Sequence, residues 1–188
     1  MGKSATGKDT IYKNLLEEKE LELKRIIPYT TRPIREGEVD GREYHFCTEA
    51  DVVQLEKENR IVELRAYNTI HGIWKYFTVN DGNIRLDEEN YLLIGTLEAY
   101  IKIRDYFGNE KVVPIYIEVE DGERLTRALA REKEQDAPKY EEMCRRFLAD
   151  AKDFSEENLE NAGIGQRFIN KDLQNTTEEI KDFVKKAI

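Results

Sequence analysis

Gly2-Lys3-Ser4-Ala5-Thr6-Gly7-Lys8-Asp9-Thr10 opens the chain directly behind Met1. Two glycines with four residues between them, the second followed by lysine, have the spacing of a loop whose backbone N–H groups cradle phosphate oxygens while the lysine reaches the outer phosphates. Residues 9–20 then carry Ile11, Leu15 and Leu16 at helical spacing, with a polar opposite face. That helix supplies the N-terminal N–H groups and dipole that complete an anion site. Gly2, Ser4, Thr6, Gly7, Lys8, Asp9 and Thr10 are therefore the expected phosphate-site residues, with Thr10 capping the helix. The bland alternative is a flexible glycine-bearing segment leading into a surface helix.

Two features of this loop are unusual. The position after the lysine, normally a hydroxyl residue that serves Mg²⁺, is Asp9. Mg²⁺ is a hard cation well served by carboxylate oxygen, so Asp9 is the expected metal ligand. The apolar strand that normally delivers such a loop is also missing, and Met1 fits as its last residue. The expectation is a sheet with an open slot and a poorly pinned loop.

Composition narrows the class. With 188 residues, 39% of them hydrophobic, and a net charge of −9, the chain is expected to be one domain with an inserted lobe. The acidic balance argues against nucleic acid as a partner. Cys47 and Cys144 lie far apart without metal-ligand spacing, which reads as two ordinary thiols in a reduced, cytoplasmic setting. No apolar run approaches membrane-spanning length and no leader pattern is present, so no membrane partner is expected. A monomer or homodimer is expected.

Strand and helix signals alternate along the chain. Residues 24–29 read as a short strand weakened by Pro28, 30–41 as a loop, 43–46 as a strand and 48–59 as a helix opened by Thr48 and Asp51. Residues 61–67 and 74–79 pair as strands, with His71 and Gly72 in the turn. The continuous apolar runs at 91–95 and 112–119 look like strands buried on both faces of a parallel sheet. Helices follow at 97–107 and 120–134, a long charged one at 138–161, a strand at 167–170 and a final helix from 177. This pattern is α/β: a P-loop NTPase three-layer fold with a parallel core sheet, an inserted mixed β lobe at about 30–80, a helical lid at about 120–162 and the first core strand missing.

The second constellation runs from Tyr29 to Phe46: Y-T-T-R-P-I-R-E-G-E-V-D-G-R-E-Y-H-F. Two arginines three apart on a Pro/Gly-shaped loop form a fork suited to a phosphate dianion, although an Arg-rich loop is commonly a solvated surface. The segment resembles the nucleoside monophosphate site of guanylate kinases, T-T-R-x-x-R-x-G-E-x-x-G-x-x-Y-x-F, matching at Thr30, Thr31, Arg32, Arg35, Gly37, Glu38, Gly41, Tyr44 and Phe46. The resemblance implies that Arg32, Arg35 and Tyr44 hold the acceptor phosphate. It places Glu63 where a glutamate accepts from guanine N1–H and the 2-amino group, and with a one-residue shift it puts Tyr76 on phosphate and Thr78 near the base. Residues 123–131 resemble the lead into the lid and 144–148 its following helix, which makes Arg127, Arg131 and Arg146, with Lys8, the implied catalytic residues. Their bland reading is pairing with neighbouring glutamates. Asn170 falls where the family has an asparagine near the donor adenine.

Two departures weaken base recognition. Pro28 stands where the family usually has a serine, and Thr96, the implied substrate-binding residue at the next strand end, replaces a carboxylate. The reading is an ATP- and Mg²⁺-dependent kinase for a purine nucleoside monophosphate, GMP or dGMP, in which lobe and lid closure exclude water. The alternatives are a non-catalytic guanylate-kinase-like binding module and a kinase for another small phosphorylated acceptor.

Overall fold

The computed structural model describes residues 1–69 and 72–188, so His71 of the expected turn lies outside the described residues. In chain order these form α1 (Lys8–Glu17), a 3₁₀ turn (Lys19–Leu21), β1 (Lys24–Arg25), β2 (Tyr29–Thr30), β3 (His45–Phe46), α2 (Glu49–Lys57), β4 (Ile61–Thr69), β5 (Gly72–Val79) and β6 (Tyr91–Leu92). They continue with α3 (Leu97–Phe107), β7 (Tyr116–Glu118), α4 (Asp121–Lys133), α5 (Tyr140–Asp153), α6 (Glu156–Asn161), β8 (Arg167–Ile169) and α7 (Leu173–Ala187). The chain divides into two compact units: Met1–Glu22, Ile94–Tyr100 and Val113–Ile188 in one, Leu23–Leu93 and Ile101–Val112 in the other.

In the first unit, α1 starts from Gly7, whose left-handed backbone (φ 83°) turns the loop straight into the helix. The Gly7 carbonyl accepts from the N–H groups of Thr10 and Ile11. Thr10 is therefore an exposed first-turn residue and not the cap expected of it; no side chain caps this end. The helix buries Ile11 and Leu15 and packs on α7, which buries Ile180 and Val184. α7 begins at Leu173, earlier than expected, because the Asp172 carboxylate accepts from the Asn175 N–H at 2.8 Å and caps it.

The strands at the loop are short. β7 pairs in parallel with β8, Ile117 opposite Phe168. Backbone groups of alternate residues point to opposite edges of a strand. Glu118 accepts from Asn170 on the β8 edge, while on the other edge the Met1 N donates to the Ile115 carbonyl at 2.6 Å and the Ile117 N–H donates to the Met1 carbonyl at 3.0 Å. Met1 thus extends this ladder as a single residue, in the place a preceding strand would take. The long helix expected over 138–161 is two helices. Phe154 is buried against Tyr116, with ring centroids 5.6 Å apart, and the Ser155 hydroxyl accepts from the Asn158 N–H to start α6 afresh.

In the second unit the strand expected over 24–29 is divided between two sheets. Lys24 and Arg25 pair in parallel with Tyr91 and Leu92, whereas Tyr29 and Thr30 run antiparallel to β5. Pro28, without an N–H, lies between them, and its carbonyl accepts from His45. The mixed sheet has the order β3-β2-β5-β4. α2 carries a full capping box in which Thr48 and Asp51 bond each other's backbone N–H. Val52 on α2 meets Phe77 and Val79, surrounded by Tyr29, Cys47, Leu55, Ile61 and Leu64.

One irregularity sets what the other face carries. The pairing of β4 with β5 shifts between Ile61 and Glu63, so Val62 is an extra residue in the ladder. Ile61 stands opposite Val79 and Leu64 opposite Phe77 on the core face, while Glu63 is opposite Thr78 and Arg65 opposite Tyr76 on the far face. Thr30 and Phe46 continue that far row across β2 and β3.

Candidate active site

The phosphate loop belongs to the first unit and is held from three sides. Gly2 lies against β7 so closely that a Cβ would sit 2.5 Å from the Ile117 carbonyl oxygen. Behind Gly7, the Asn170 Nδ2 donates to the Thr6 carbonyl at 2.8 Å, and a Cβ on Gly7 would lie 2.7 Å from that same nitrogen. Thr6 closes the turn by donating its hydroxyl to the Lys3 carbonyl at 2.9 Å. At Ser4 both backbone groups are taken: the carbonyl accepts from Arg124 Nη1 at 2.9 Å and the N–H donates to Asp150 at 2.6 Å. The expectation of a poorly pinned loop is thus corrected; β8, α4 and α5 pin it.

Arg124 is fully buried. Its Nε and Nη2 donate to Asp121 at 3.0 and 2.8 Å, and the guanidinium stacks over the Phe147 ring, 4.5 Å from the centroid. Arg124 and Ala128 form the buried stripe of α4, whereas Leu125 is left largely in solvent. Asp121 also receives the Lys3 ammonium at 3.4 Å.

The three implied catalytic arginines are placed differently. Arg131 and Arg146 line a cavity of about 530 Å³ between α4 and α5, together with Ser4 of the loop and Phe147. Arg146 is steadied by Glu142 at 2.8 Å, and Arg145 donates twice to the same carboxylate, which these two arginines hold down to about 2. Arg127 pairs with Glu123 at 2.9 Å and reaches the Asn170 carbonyl at 3.5 Å, away from that cavity's lining.

Lys8 and Asp9 stand on the first turn of α1, with the Lys8 ammonium 3.1 Å from the Asp9 carboxylate. Asp9 is exposed. Among the described residues no group of three or more acidic, His or Cys side chains gathers to hold a metal. A single carboxylate at the phosphate loop fits Mg²⁺, which takes one or two carboxylates and completes its shell with phosphate oxygens and water. The Asn170 Oδ1 is buried without a hydrogen-bond partner, an acceptor left unsatisfied within the protein.

In the second unit the acceptor-site residues share the far face of the mixed sheet. Arg32 is buried and bidentate to Glu38, Nη1 to Oε2 and Nη2 to Oε1 both at 2.8 Å. Glu38 also accepts from the Arg35 N–H, and its carboxyl is held down to about 2, chiefly by Arg32. The Arg32 guanidinium lies 5.3 Å from the Tyr44 ring centroid and 5.5 Å from that of Phe46. Tyr44 meets Tyr76 edge-on at 5.7 Å, and burial raises the Tyr44 phenol above its ordinary value. Arg35 itself points into solvent.

Glu63 is buried on the same face, accepting from the Thr78 hydroxyl at 3.0 Å and from Arg65 Nε and Nη2 at 2.9 and 3.1 Å. Arg32, Tyr44, Tyr76, Glu63 and Thr78 therefore form one continuous surface. Thr96 belongs to the first unit, where its hydroxyl accepts from the Ala99 N–H at 3.2 Å and caps α3.

A family model described as guanylate kinase matches residues 1–187. The chain belongs to the guanylate kinase family. It is 29% identical over 185 residues to the guanylate kinase of Caldanaerobacter subterraneus subsp. tengcongensis, covering 97% of this chain and 83% of that protein. Identity to the guanylate kinase of Mycoplasmoides gallisepticum is 29% over 190 residues, 98% of this chain and 89% of the relative. The crystal structure of guanylate kinase from Anaplasma phagocytophilum superposes with a TM-score of 0.65 at 19% identity, over 98% of this chain and 82% of that one, which fixes the shared α/β fold.

Within this guanylate-kinase-family chain, three residues at the two sites escaped the sequence reading: Arg124, Asp150 and Arg65. The first two lie on charged helices where solvent exposure is the ordinary expectation. Arg124 carried a usable signal, four residues before Ala128 on the stripe that α4 buries. Among the described residues no helix is long and apolar enough to cross a membrane.

Proposed function

We propose that this guanylate-kinase-family protein is a nucleoside monophosphate kinase that transfers the γ-phosphoryl group of ATP to GMP or dGMP. The observation that carries the reading is the far face of the mixed sheet, where an arginine–tyrosine cluster suited to a phosphate adjoins a buried carboxylate suited to the N1–H and 2-amino edge of a purine. Arg32, with Tyr44 and Tyr76, takes the acceptor phosphate, Arg35 adds charge from the loop, and Glu63 with Thr78 takes the base. Lys8 and the loop N–H groups other than those of Ser4 and Thr10, which are paired within the protein, hold the ATP phosphates, and Asn170 Oδ1 accepts from the donor base. Asp9 would hold Mg²⁺, which would supply neutralisation of phosphate charge.

Transfer is an in-line displacement: an acceptor phosphate oxygen bonds to Pγ as the Pγ–O bond to ADP breaks. Protein groups contribute position and electrostatics. Arg131 and Arg146 face the cavity beside Ser4 and neutralise charge on the transferring group, with Arg127 in support. The protein works in the cytoplasm as a monomer or homodimer. ADP release is measured with ATP, Mg²⁺ and a panel of nucleoside monophosphates. GMP-dependent release, lost in Lys8→Met, is expected; no acceptor-dependent release from any member would overturn the kinase reading in favour of a binding module.

A further inference from the structure

Glu63, the carboxylate assigned to the base, is already engaged. Its side chain is 1% exposed, and three hydrogen bonds reach it: Thr78 Oγ and Arg65 Nη2 on Oε1, and Arg65 Nε on Oε2. A carboxylate oxygen has two acceptor positions. Oε1 is therefore full and Oε2 has one left, so a base that offers two N–H groups to Glu63 must displace one donor from Oε1; the Thr78 hydroxyl is buried, whereas the Arg65 side chain is partly open to solvent and is the donor with room to move.

Arg65 is placed to respond to that exchange. It stands opposite Tyr76 in the ladder, one row along from the Glu63–Thr78 pair, and its side chain is partly open to solvent. Its guanidinium carries five N–H donors, of which two are spent on Glu63. Read across, the pair presents donor, acceptor, acceptor. The six-membered edge of guanine presents O6, N1–H and N2–H: acceptor, donor, donor. Adenine presents an amino group where guanine has O6. Pro28, on the strand approach to β2, has no side-chain donor for O6.

We propose that Arg65 is a specificity-determining residue of the acceptor site, donating to the oxygen at purine C6 while Glu63 accepts from N1–H and the 2-amino group. The inference rests on the kinase reading and names the group that distinguishes 6-oxopurine acceptors. With a 6-oxopurine, the donor released from Glu63 finds a new acceptor; adenine has no N1–H or 2-amino group to drive that release and presents an amino group, not an acceptor, at C6. In the free protein the same guanidinium supplies the counter-charge that a carboxylate this deeply buried requires.

The test is calorimetric binding of three monophosphates to the wild-type, Arg65→Met and Arg65→Lys proteins. GMP and IMP both carry O6; 2-aminopurine riboside 5′-monophosphate keeps the 2-amino group and lacks O6. Arg65→Met is expected to weaken GMP and IMP about 10- to 100-fold, the range for one hydrogen bond to a charged group. It should leave the 2-aminopurine nucleotide within about 3-fold, and Arg65→Lys, which keeps the charge, should lie between. Equal losses for all three ligands would reduce Arg65 to a support for Glu63 and overturn the proposal, as would unchanged or tighter GMP binding by Arg65→Met. A wild-type protein that binds none of the three overturns the kinase reading itself.

Discussion

Arg124 Nη1 donates to the carbonyl of Ser4 at 2.9 Å while Asp150 accepts from the N–H of the same residue at 2.6 Å. One peptide segment of the phosphate loop is thereby gripped by α4 and α5 together. Since both helices line the cavity that holds Arg131 and Arg146, loop geometry and arginine placement share the same supports.

Replacing Arg124 with Met keeps an apolar stem and removes the guanidinium that stacks over Phe147. Asp121 and Asp150 then lose a buried partner, and the Ser4 carbonyl loses its donor. Because Asp121 is half exposed and rehydrates, a destabilisation of about 2–3 kcal/mol is expected, at the low end for breaking a buried pair. Urea unfolding followed by circular dichroism measures it; ATP affinity should fall in the same variant.

Asn170→Ala removes the donor to the Thr6 carbonyl and the unpartnered Oδ1 in one step. The lost hydrogen bond should lower stability by about 1 kcal/mol. ATP binding is expected to weaken more than GTP binding, since GTP offers no 6-amino donor to Oδ1. Titration with both nucleotides by fluorescence competition checks this, and equal losses would assign Asn170 to the loop alone.

Gly7→Ala meets two obstacles. The left-handed φ of 83° costs an L-residue about 1–2 kcal/mol, and the new methyl would lie 2.7 Å from Asn170 Nδ2. The Asn170–Thr6 bond must then give way. Loss of measurable ATP binding, with the helical signal retained, is the expected result.

The Arg32–Glu38 pair has a pH signature. Glu38 is held down to about 2 by the Arg32 hydrogen bonds, below its ordinary value of 4.5. A depressed folded-state pKa gives stability that is present above the unfolded value and lost as pH falls through the folded one. The contribution is therefore full above about pH 5 and disappears between there and pH 2. Thermal melts of the wild type and Glu38→Gln at steps from pH 7 to 3 should show a shallower acid slope in the variant.

The two thiols should react at different rates. Cys144 is exposed, while Cys47 packs beside Val52 and Phe77 and burial pushes its thiol up to about 11. Iodoacetamide at neutral pH should label one equivalent quickly, located at residue 144 by mass spectrometry, and the second only on unfolding.

The parts legible in the sequence are those written in local chemistry. The Gly2–Lys8 spacing, the Thr48/Asp51 box and the alternation in residues 61–79 each encode their own geometry within a few residues. What escaped depends on distant partners. Residues 138–161 read as one helix because the apolar phase runs on through Phe154; the break comes from Phe154 docking on Tyr116 and from Ser155 preferring a cap. Arg124 reads as a surface charge until Ser4, Asp121 and Phe147 converge on it. Thr96 sits where a carboxylate was expected for the base, yet its hydroxyl serves the first turn of α3.

The extra residue at Val62 acts as a frameshift for side chains. Strands assign faces by parity, and one inserted residue inverts the assignment for everything downstream. Upstream of it Ile61 keeps step with the core; downstream, the odd-numbered Glu63 and Arg65 emerge on the open face and Leu64 returns to α2. Deleting Val62 would leave Ile61 and Glu63 adjacent, so plain alternation would keep Ile61 opposite Val79 and Glu63 opposite Thr78, whereas deleting Leu64 would bring Arg65 opposite Phe77 on the core face or slip the hairpin out of register. Acceptor chemistry in this lobe therefore depends on a count as much as on the residues themselves: the bulge at Val62 absorbs a change of one residue without turning Glu63, while the same change at Leu64 would turn Arg65 toward Phe77.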